Sequence, residues 1–397
     1  MNREQWENKR QLRRKQALQM SSAKKKRKSR LVLGSAALCI LAAVLTVLVL
    51  WNLFSGEEAP PAASEPAAAL KKVALVTGPE GLENTGYSRV CWESIQSWAT
   101  DRGIPCSCYQ PEEDSAQARV AQAERAIGEG ADVLVLPGWY FAQVILELQE
   151  AHPQVYFIGM GVSQANLNQA LGGEAVLREN AACFSFAEEQ AGYLAGYAAV
   201  WEGYTGLGFL GSSPVGSVVR YGYGFLQGAD AAARELERAV EIRYAYGTGD
   251  GAGALADSWY REDIQVIFCC GEGVTLPVIS AAGTEGRVIG ADVDWSGNGT
   301  AVLASAIKDV GNTTQMVLNS IHRGSWSRYA GLAGRMGLAD GGCVGLAPRG
   351  ESWPFRAFTE AACKALKEGI GDGRILVDSS TDALPELSVY TTLHMQE

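Results

Sequence analysis

Residues 72–98 read KVALVTGPEGLENTGYSRVCWESIQSW, and they divide into strand, loop and helix. Val73 to Thr77 is a short apolar run rich in β-branched residues, which predicts a buried strand. Gly78, Pro79, Gly81 and Gly86 break that run. From about Ser88 the residues Val90, Cys91, Ile95, Trp98 and Ala99 recur at helical spacing. In open α/β sheets, a first strand that ends in a glycine-rich loop at a helix start is where ligands bind. This loop also carries an aromatic residue, Tyr87, so it is expected to form one wall of a small-molecule cleft.

The same alternation continues outward from this unit. Strands are predicted at 72–77, 104–109, 132–136, 155–159 and 181–186, with helices at 88–102, 115–128, 140–151 and 163–170. A second set begins with a helix at 187–202. It continues with strands 206–211, 239–246, 265–269 and 287–291, separated by helices 218–237, 252–261 and 274–283. Strand–helix alternation implies parallel sheets covered by helices on both faces. Two such sets in tandem predict two doubly wound lobes. A helix at 301–323, strand-like pieces at 331–339 and 342–346 and a helix at 354–368 form a tail that would cross back between the lobes.

The N-terminal part is of another kind. The chain has 397 residues and a net charge of −10, but residues 1–30 hold twelve Lys/Arg against two Glu, so +10, which leaves −20 on the rest. Leu31 to Phe54 carries no charge and is long enough to span a bilayer, which takes ~20 apolar residues. Basic residues precede it (KKKRKSR, 24–30) and Glu57 and Glu58 follow. The expected topology is a cytoplasmic N-terminus, a transmembrane helix at 31–54 and an extracytoplasmic remainder. A lipoprotein signal using Cys39 and a cleaved signal peptide are the alternatives. Residues 55–70 (SGEEAPPAASEPAAAL) form a Pro/Ala/Glu-rich tether. Eight of the nine cysteines lie beyond the span; buried free thiols are expected at Cys183, Cys269 and Cys363, and no C-x-x-C spacing occurs.

Several motifs are rejected. Gly206, Gly208 and Gly211 spell G-x-G-x-x-G inside a strand, not between a strand and a helix. Asp292, Asp294 and Gly297 start like a calcium loop, but its twelfth position is Leu303 and not Glu. His152, His322 and His394 are too scattered for a metal or catalytic motif. Glu188 and Glu189 are adjacent and face different sides of a helix, which makes them a poor acid/base pair. No catalytic residue, cofactor, metal or nucleic-acid partner is expected.

Taken together and in order, the stretches KVALVTGPEGLENTGYSRVCWES, LVLPGWYFAQVILELQEAHPQVYFIGMG, ACFSFAEEQAGYLAGYAA, GLGFLG, VVRYGYGFLQGA, RVIGADVDW, AVLASAIKDV and GCVGLAP resemble the basic membrane protein family of bacterial substrate-binding proteins, which includes purine-nucleoside receptors feeding ABC importers. The resemblance implies a type I periplasmic-binding fold, with an N-lobe of about 71–185 and 302–340 and a C-lobe of about 186–301 and 341–397. The three crossovers would lie near Ser185, 298–302 and 340–343. It also implies a small-molecule, nucleoside-like ligand and ABC permease subunits as partners; a ligand sensor presenting its state to a signalling partner is the alternative role. By position in the motifs, Tyr87 matches a stacking Phe, Tyr221 a second aromatic from the other lobe, Asp292 an Asp at a strand end and Lys308 a Lys on the following helix. Asn84, Ser88 and Trp139 complete the expected ligand set. The sequence departs from the family at Asn84, Ser88, Arg89, Gln143 and Met160. Fewer carboxylates weaken the expectation of a ribose, and Arg89 with Asn84 would favour a ligand carrying negative charge.

Overall fold

The computed structural model describes residues 70–82, 86–348 and 353–396. The basic segment 1–30, the expected span 31–54, the tether up to residue 69 and Asn84 lie outside the described residues. Within the described residues no helix is long and apolar enough to cross a membrane.

The first sheet grows from the opening stretch. Strand β1 (Val73–Val76) is buried at every position, as a strand covered on both faces must be. It leads through the glycine-bearing loop into helix α1 (Tyr87–Thr100), whose buried residues include Cys91, Ile95, Trp98 and Ala99. Then follow β2 (Cys106–Tyr109), α2 (Ala116–Gly128), β3 (Val133–Pro137), α3 (Ala142–Ala151), β4 (Tyr156–Met160), α4 (Gln164–Leu171) and β5 (Ala181–Phe186). Ser115 caps α2 by accepting a hydrogen bond from the Ala118 amide at 3.1 Å, and Ser163 caps α4 through a reciprocal pair with Asn166, the side-chain chemistry that sets helix starts.

After β5 the chain enters the second lobe with α5 (Glu188–Glu202), β6 (Gly206–Gly211), α6 (Gly216–Glu235), β7 (Val240–Tyr246), α7 (Gly249–Arg261), β8 (Val266–Cys270), α8 (Thr275–Ala282), β9 (Arg287–Asp292) and β10 (Val302–Lys308). It returns to the first lobe with α9 (Val310–His322) and β11 (Ala333–Met336), then ends in the second with β12 (Val344–Pro348), α10 (Glu360–Gly371) and β13 (Thr391–Met395). The first sheet has the order β11-β5-β4-β3-β1-β2 and the second β12-β10-β9-β8-β6-β7-β13. All pairings are parallel except β12 against β10. Two doubly wound lobes in one chain are thus observed.

Three expectations need correction. Residues 301–323 are not one helix: the Ala-rich AVLASAIK segment is buried on nearly every side chain as β10, so it shows no two-residue alternation and was open to a helical reading. Because β10 belongs to the second sheet, the chain crosses back after Lys308 and not near 298–302. The last helix begins at Glu360, where Thr359 caps it, and not at 354. The edge strand β13 was not expected at all.

The two helices at the first crossover touch backbone to backbone. A Cβ placed on Gly192 or Gly196 of α5 would lie 2.2 and 2.1 Å from the carbonyl oxygens of Tyr221 and Phe225, and one on Gly224 or Gly228 of α6 would lie 2.1 and 2.0 Å from those of Glu189 and Tyr193. The reciprocal i, i+4 glycines remove the side chains that would hold the helices apart. The close crossing brings the first turn of α5 against the first turns of α6, and both against the end of β10.

Candidate functional site

Parallel strands β9 and β10 pair with a register shift between Val302 and Ala304, after which Asp292 lies opposite Ile307. Their last residues, Asp292 and Lys308, therefore emerge at the carboxyl edge of the second sheet, where open α/β sheets bind ligands. The Lys308 Nζ lies 2.9 Å from Asp292 Oδ1 and 3.2 Å from Glu188 Oε1. Glu188 Oε2 in turn accepts a hydrogen bond from Arg220 Nε at 2.7 Å. Lys308 also lies 5.5 Å from the centre of the Tyr87 ring and 5.3 Å from that of Tyr221. Its ammonium is thus held between an aromatic face from each lobe, with carboxylates beside it.

Each member is set by its local chain. Tyr87 opens α1, directly after the loop that follows β1. Its ring stands edge-on to Phe186 at 6.3 Å and rests on Gly161, where a Cβ would come within 3.2 Å of the ring. Gly161 also has φ +78, a conformation that favours glycine. Asp292 is one of three residues other than glycine with positive φ among the described residues, at 72°. Asp tolerates this region better than most residues, and backbone held there is typical of binding sites. Asp292 Oδ1 is buried and meets Lys308 as an ion pair without forming an aligned hydrogen bond.

The charges are strongly coupled. Burial works against the Lys308 ammonium, but the carboxylates of Asp292 and Glu188 hold its pKa well above the usual lysine value. Burial likewise pushes the Glu188 carboxyl up, yet Lys308 and Arg220 outweigh it and hold it below the ordinary range. The adjacent Glu189 behaves oppositely: burial raises it, only partly offset by Arg335 of β11, with which it pairs. Two neighbouring acids thus serve opposite lobes, and neither pairs with the other as acid and base. Burial also raises the Tyr87 and Tyr221 hydroxyls and the Cys270 thiol.

Of the expected site residues, Tyr87, Tyr221, Asp292 and Lys308 come together. Ser88 is buried at the second position of α1, beside Tyr87. Lys308 stands on a strand end and not on the following helix, so its position is fixed by the sheet. Tyr221 is fully buried; its hydroxyl donates to the Ala306 carbonyl at 3.2 Å. In this arrangement it backs Lys308 and does not offer an open stacking face. Trp139 is 62% exposed and packs edge-on against Tyr140, whose hydroxyl donates to Glu80 at 3.2 Å; this contact is separate from the Lys308 group. Arg89 is exposed and paired with Glu93 at 3.0 Å in an i, i+4 contact. Asn84 lies outside the described residues.

Sequence reading missed Glu188 and Arg220 as members of the group. Two acids at the start of an otherwise apolar, well-buried helix were the available signal, since a buried carboxylate needs a partner. Among the described residues no cluster of three or more His, Cys, Asp or Glu could hold a metal. All eight described cysteines are free thiols, with Cys183, Cys269 and Cys363 buried.

A two-lobed sheet pair with a charged and aromatic group at the strand ends agrees with what the chain is similar to. The family model described as ABC transporter substrate-binding protein PnrA-like matches residues 71–359. The chain belongs to this family. A nucleoside-binding protein of an ABC transporter, BmpA of Lactococcus lactis, is 25% identical over 336 residues, covering 78% of this chain and 89% of that protein. Basic membrane protein B of Borreliella burgdorferi is 27% identical over 222 residues, 55% of this chain and 63% of that protein; the match thus spans less than two thirds of that relative's length. Among solved structures, a solute-binding protein of an ABC transporter from Aeropyrum pernix K1 aligns with TM-score 0.60 at 15% identity, covering 79% of this chain and 94% of that one. One from Conexibacter woesei aligns with TM-score 0.61 at 18% identity, covering 78% and 99%. At these identities the structural likeness establishes the fold alone.

Proposed function

We propose that this substrate-binding protein is a membrane-tethered extracytoplasmic receptor that captures an uncharged, hydroxyl-bearing aromatic ligand of the nucleoside class and presents it to an ABC permease. The observation that carries the ligand class is Lys308, held between Asp292 and Glu188 on one lobe and facing the Tyr87 ring on the other. An aromatic face suits a flat base, at about 1–3 kcal/mol per stacked face. A fixed carboxylate and ammonium suit the hydroxyls of a sugar, accepting from one and donating to the next. Ligand contacts drawn from both lobes favour the closed arrangement, and closure is the state a permease can read. The apolar run 31–54 and the tether 55–70 support attachment to the membrane beside that permease.

The test is uptake of radiolabelled purine nucleosides by cells carrying or lacking the chain, with protease accessibility of the C-terminal part on intact cells. Loss of uptake on deletion and external cleavage of the C-terminal part are expected. Unchanged uptake, or a protected C-terminal part, would refute delivery or topology respectively.

A further inference from the structure

Two cations and two carboxylates meet at the end of β10: Lys308 and Arg220, Glu188 and Asp292. The group is neutral as a whole. The other titratable groups facing Lys308 are the Tyr87 and Tyr221 hydroxyls and the Cys270 thiol, and burial keeps all three protonated, so they add no charge. Glu188 is the member that touches both cations, Lys308 at 3.2 Å and Arg220 at 2.7 Å. Its Oε1 faces Lys308 and its Oε2 accepts from Arg220, so both its oxygens are engaged by the cations and it acts on a ligand through Lys308. It also stands in the first turn of α5, just after the strand that leaves the first lobe, while its neighbour Glu189 turns to Arg335.

We propose that Glu188 is the specificity-determining residue for ligand charge: by neutralising Lys308 and Arg220 together it keeps the site closed to phosphorylated ligands and reserves Lys308 for the hydroxyls of an uncharged one. This rests on the nucleoside-class reading above. An ammonium has three donors. Asp292 and Glu188 flank that of Lys308 as ion pairs at 2.9 and 3.2 Å, so a ligand oxygen would share its donors with these two carboxylates. Deleting the Glu188 charge leaves the group at +1 in a poorly solvated place, where a unit charge about 8 Å from a phosphate at an effective dielectric of about 20 is worth well over tenfold in affinity.

The experiment is calorimetric titration of the full chain, wild type and Glu188→Gln, Glu189→Gln and Arg220→Gln, with inosine and guanosine and with their 5′-monophosphates. The affinity ratio between nucleoside and monophosphate is the readout, since a merely structural role would weaken both ligands alike. Glu188→Gln is expected to move the ratio at least about tenfold toward the monophosphate. Arg220→Gln, which leaves the group one charge negative, moves it the other way. Glu189→Gln, which removes a buried carboxylate that pairs with Arg335 and not with Lys308, is expected to move it distinctly less than Glu188→Gln does. An unchanged ratio in Glu188→Gln, or the same shift in Glu189→Gln, overturns the proposal; if Glu188→Gln does not fold, the direction of the Arg220→Gln shift decides. A ligand-independent arm separates this proposal from the reading it rests on. Acylation of Lys308 by an activated ester at pH 9, followed by peptide mass spectrometry, is expected to be faster in Glu188→Gln than in wild type or Glu189→Gln. If no probe binds the wild type, the nucleoside reading fails, and an unchanged acylation rate would then overturn the charge assignment as well.

Discussion

Replacing Lys308 with Met tests the charged group through stability alone. The two side chains are of similar length, so the change removes the ammonium with little loss of packing. Glu188, 5% exposed at its side chain, keeps Arg220. Asp292 loses its ion-pair partner while its Oδ1 stays buried. Removing one partner of a buried pair costs about 3–5 kcal/mol, but the Asp292 side chain is 33% exposed and water recovers part of that. We expect a loss of about 2–3 kcal/mol at pH 7.5. The acid dependence carries a sign. Glu188 has a depressed pKa in the folded protein, so its stabilising contribution is present above the unfolded value of about 4.3 and is lost as pH falls through the folded one. Lys308 is one cause of the depression. Without it the variant has less to lose, so the gap between variant and wild type holds from pH 8 to about 5 and narrows below about 4.3. Urea denaturation at pH 7.5, 5.5 and 3.8 measures it. A gap below about 1 kcal/mol at neutral pH, or one that widens in acid, would refute the coupled arrangement.

Further outcomes follow from the same geometry. Gly196→Ala drives a methyl group to within 2.1 Å of the Phe225 carbonyl oxygen and should cost about 1–3 kcal/mol or more, read as a lowered thermal midpoint; a neutral result would mean that the α5/α6 contact is not tight. Asp292→Asn preserves a residue tolerant of φ 72° and should leave the fold intact in circular dichroism while weakening ligand affinity. Arg89→Ala removes an exposed pair and should change stability by less than about 0.5 kcal/mol and ligand affinity not at all; a large loss of affinity would restore an anionic reading of the ligand.

The fold was legible because parallel strands announce themselves as short apolar runs between glycines. The run 206–211 matches β6 residue for residue, and the opening unit falls within two residues of β1 and α1. Misreadings arose where the pattern carries no period. AVLASAIK is buried on both faces and composed of residues that suit a helix equally well, so only its pairing with β9 and β12 makes it a strand. The edge strand β13 is held by β7 alone, a partner far away in the chain. The site was half legible. Tyr87, Asp292 and Lys308 follow from motif position. Glu188 and Arg220 do not, because their role depends on the glycine-lined crossing of α5 and α6, which brings distant residues to one ammonium.

The most direct test of a two-lobed receptor for an uncharged nucleoside-like ligand is calorimetric titration of the protein with adenosine, guanosine and inosine, repeated on Tyr87→Ala. One-site binding of at least one of these nucleosides is expected, weakened in the variant by about 1–3 kcal/mol, the worth of one stacked aromatic face. Absence of binding to every nucleoside, or binding that Tyr87→Ala leaves unchanged, would contradict such a receptor.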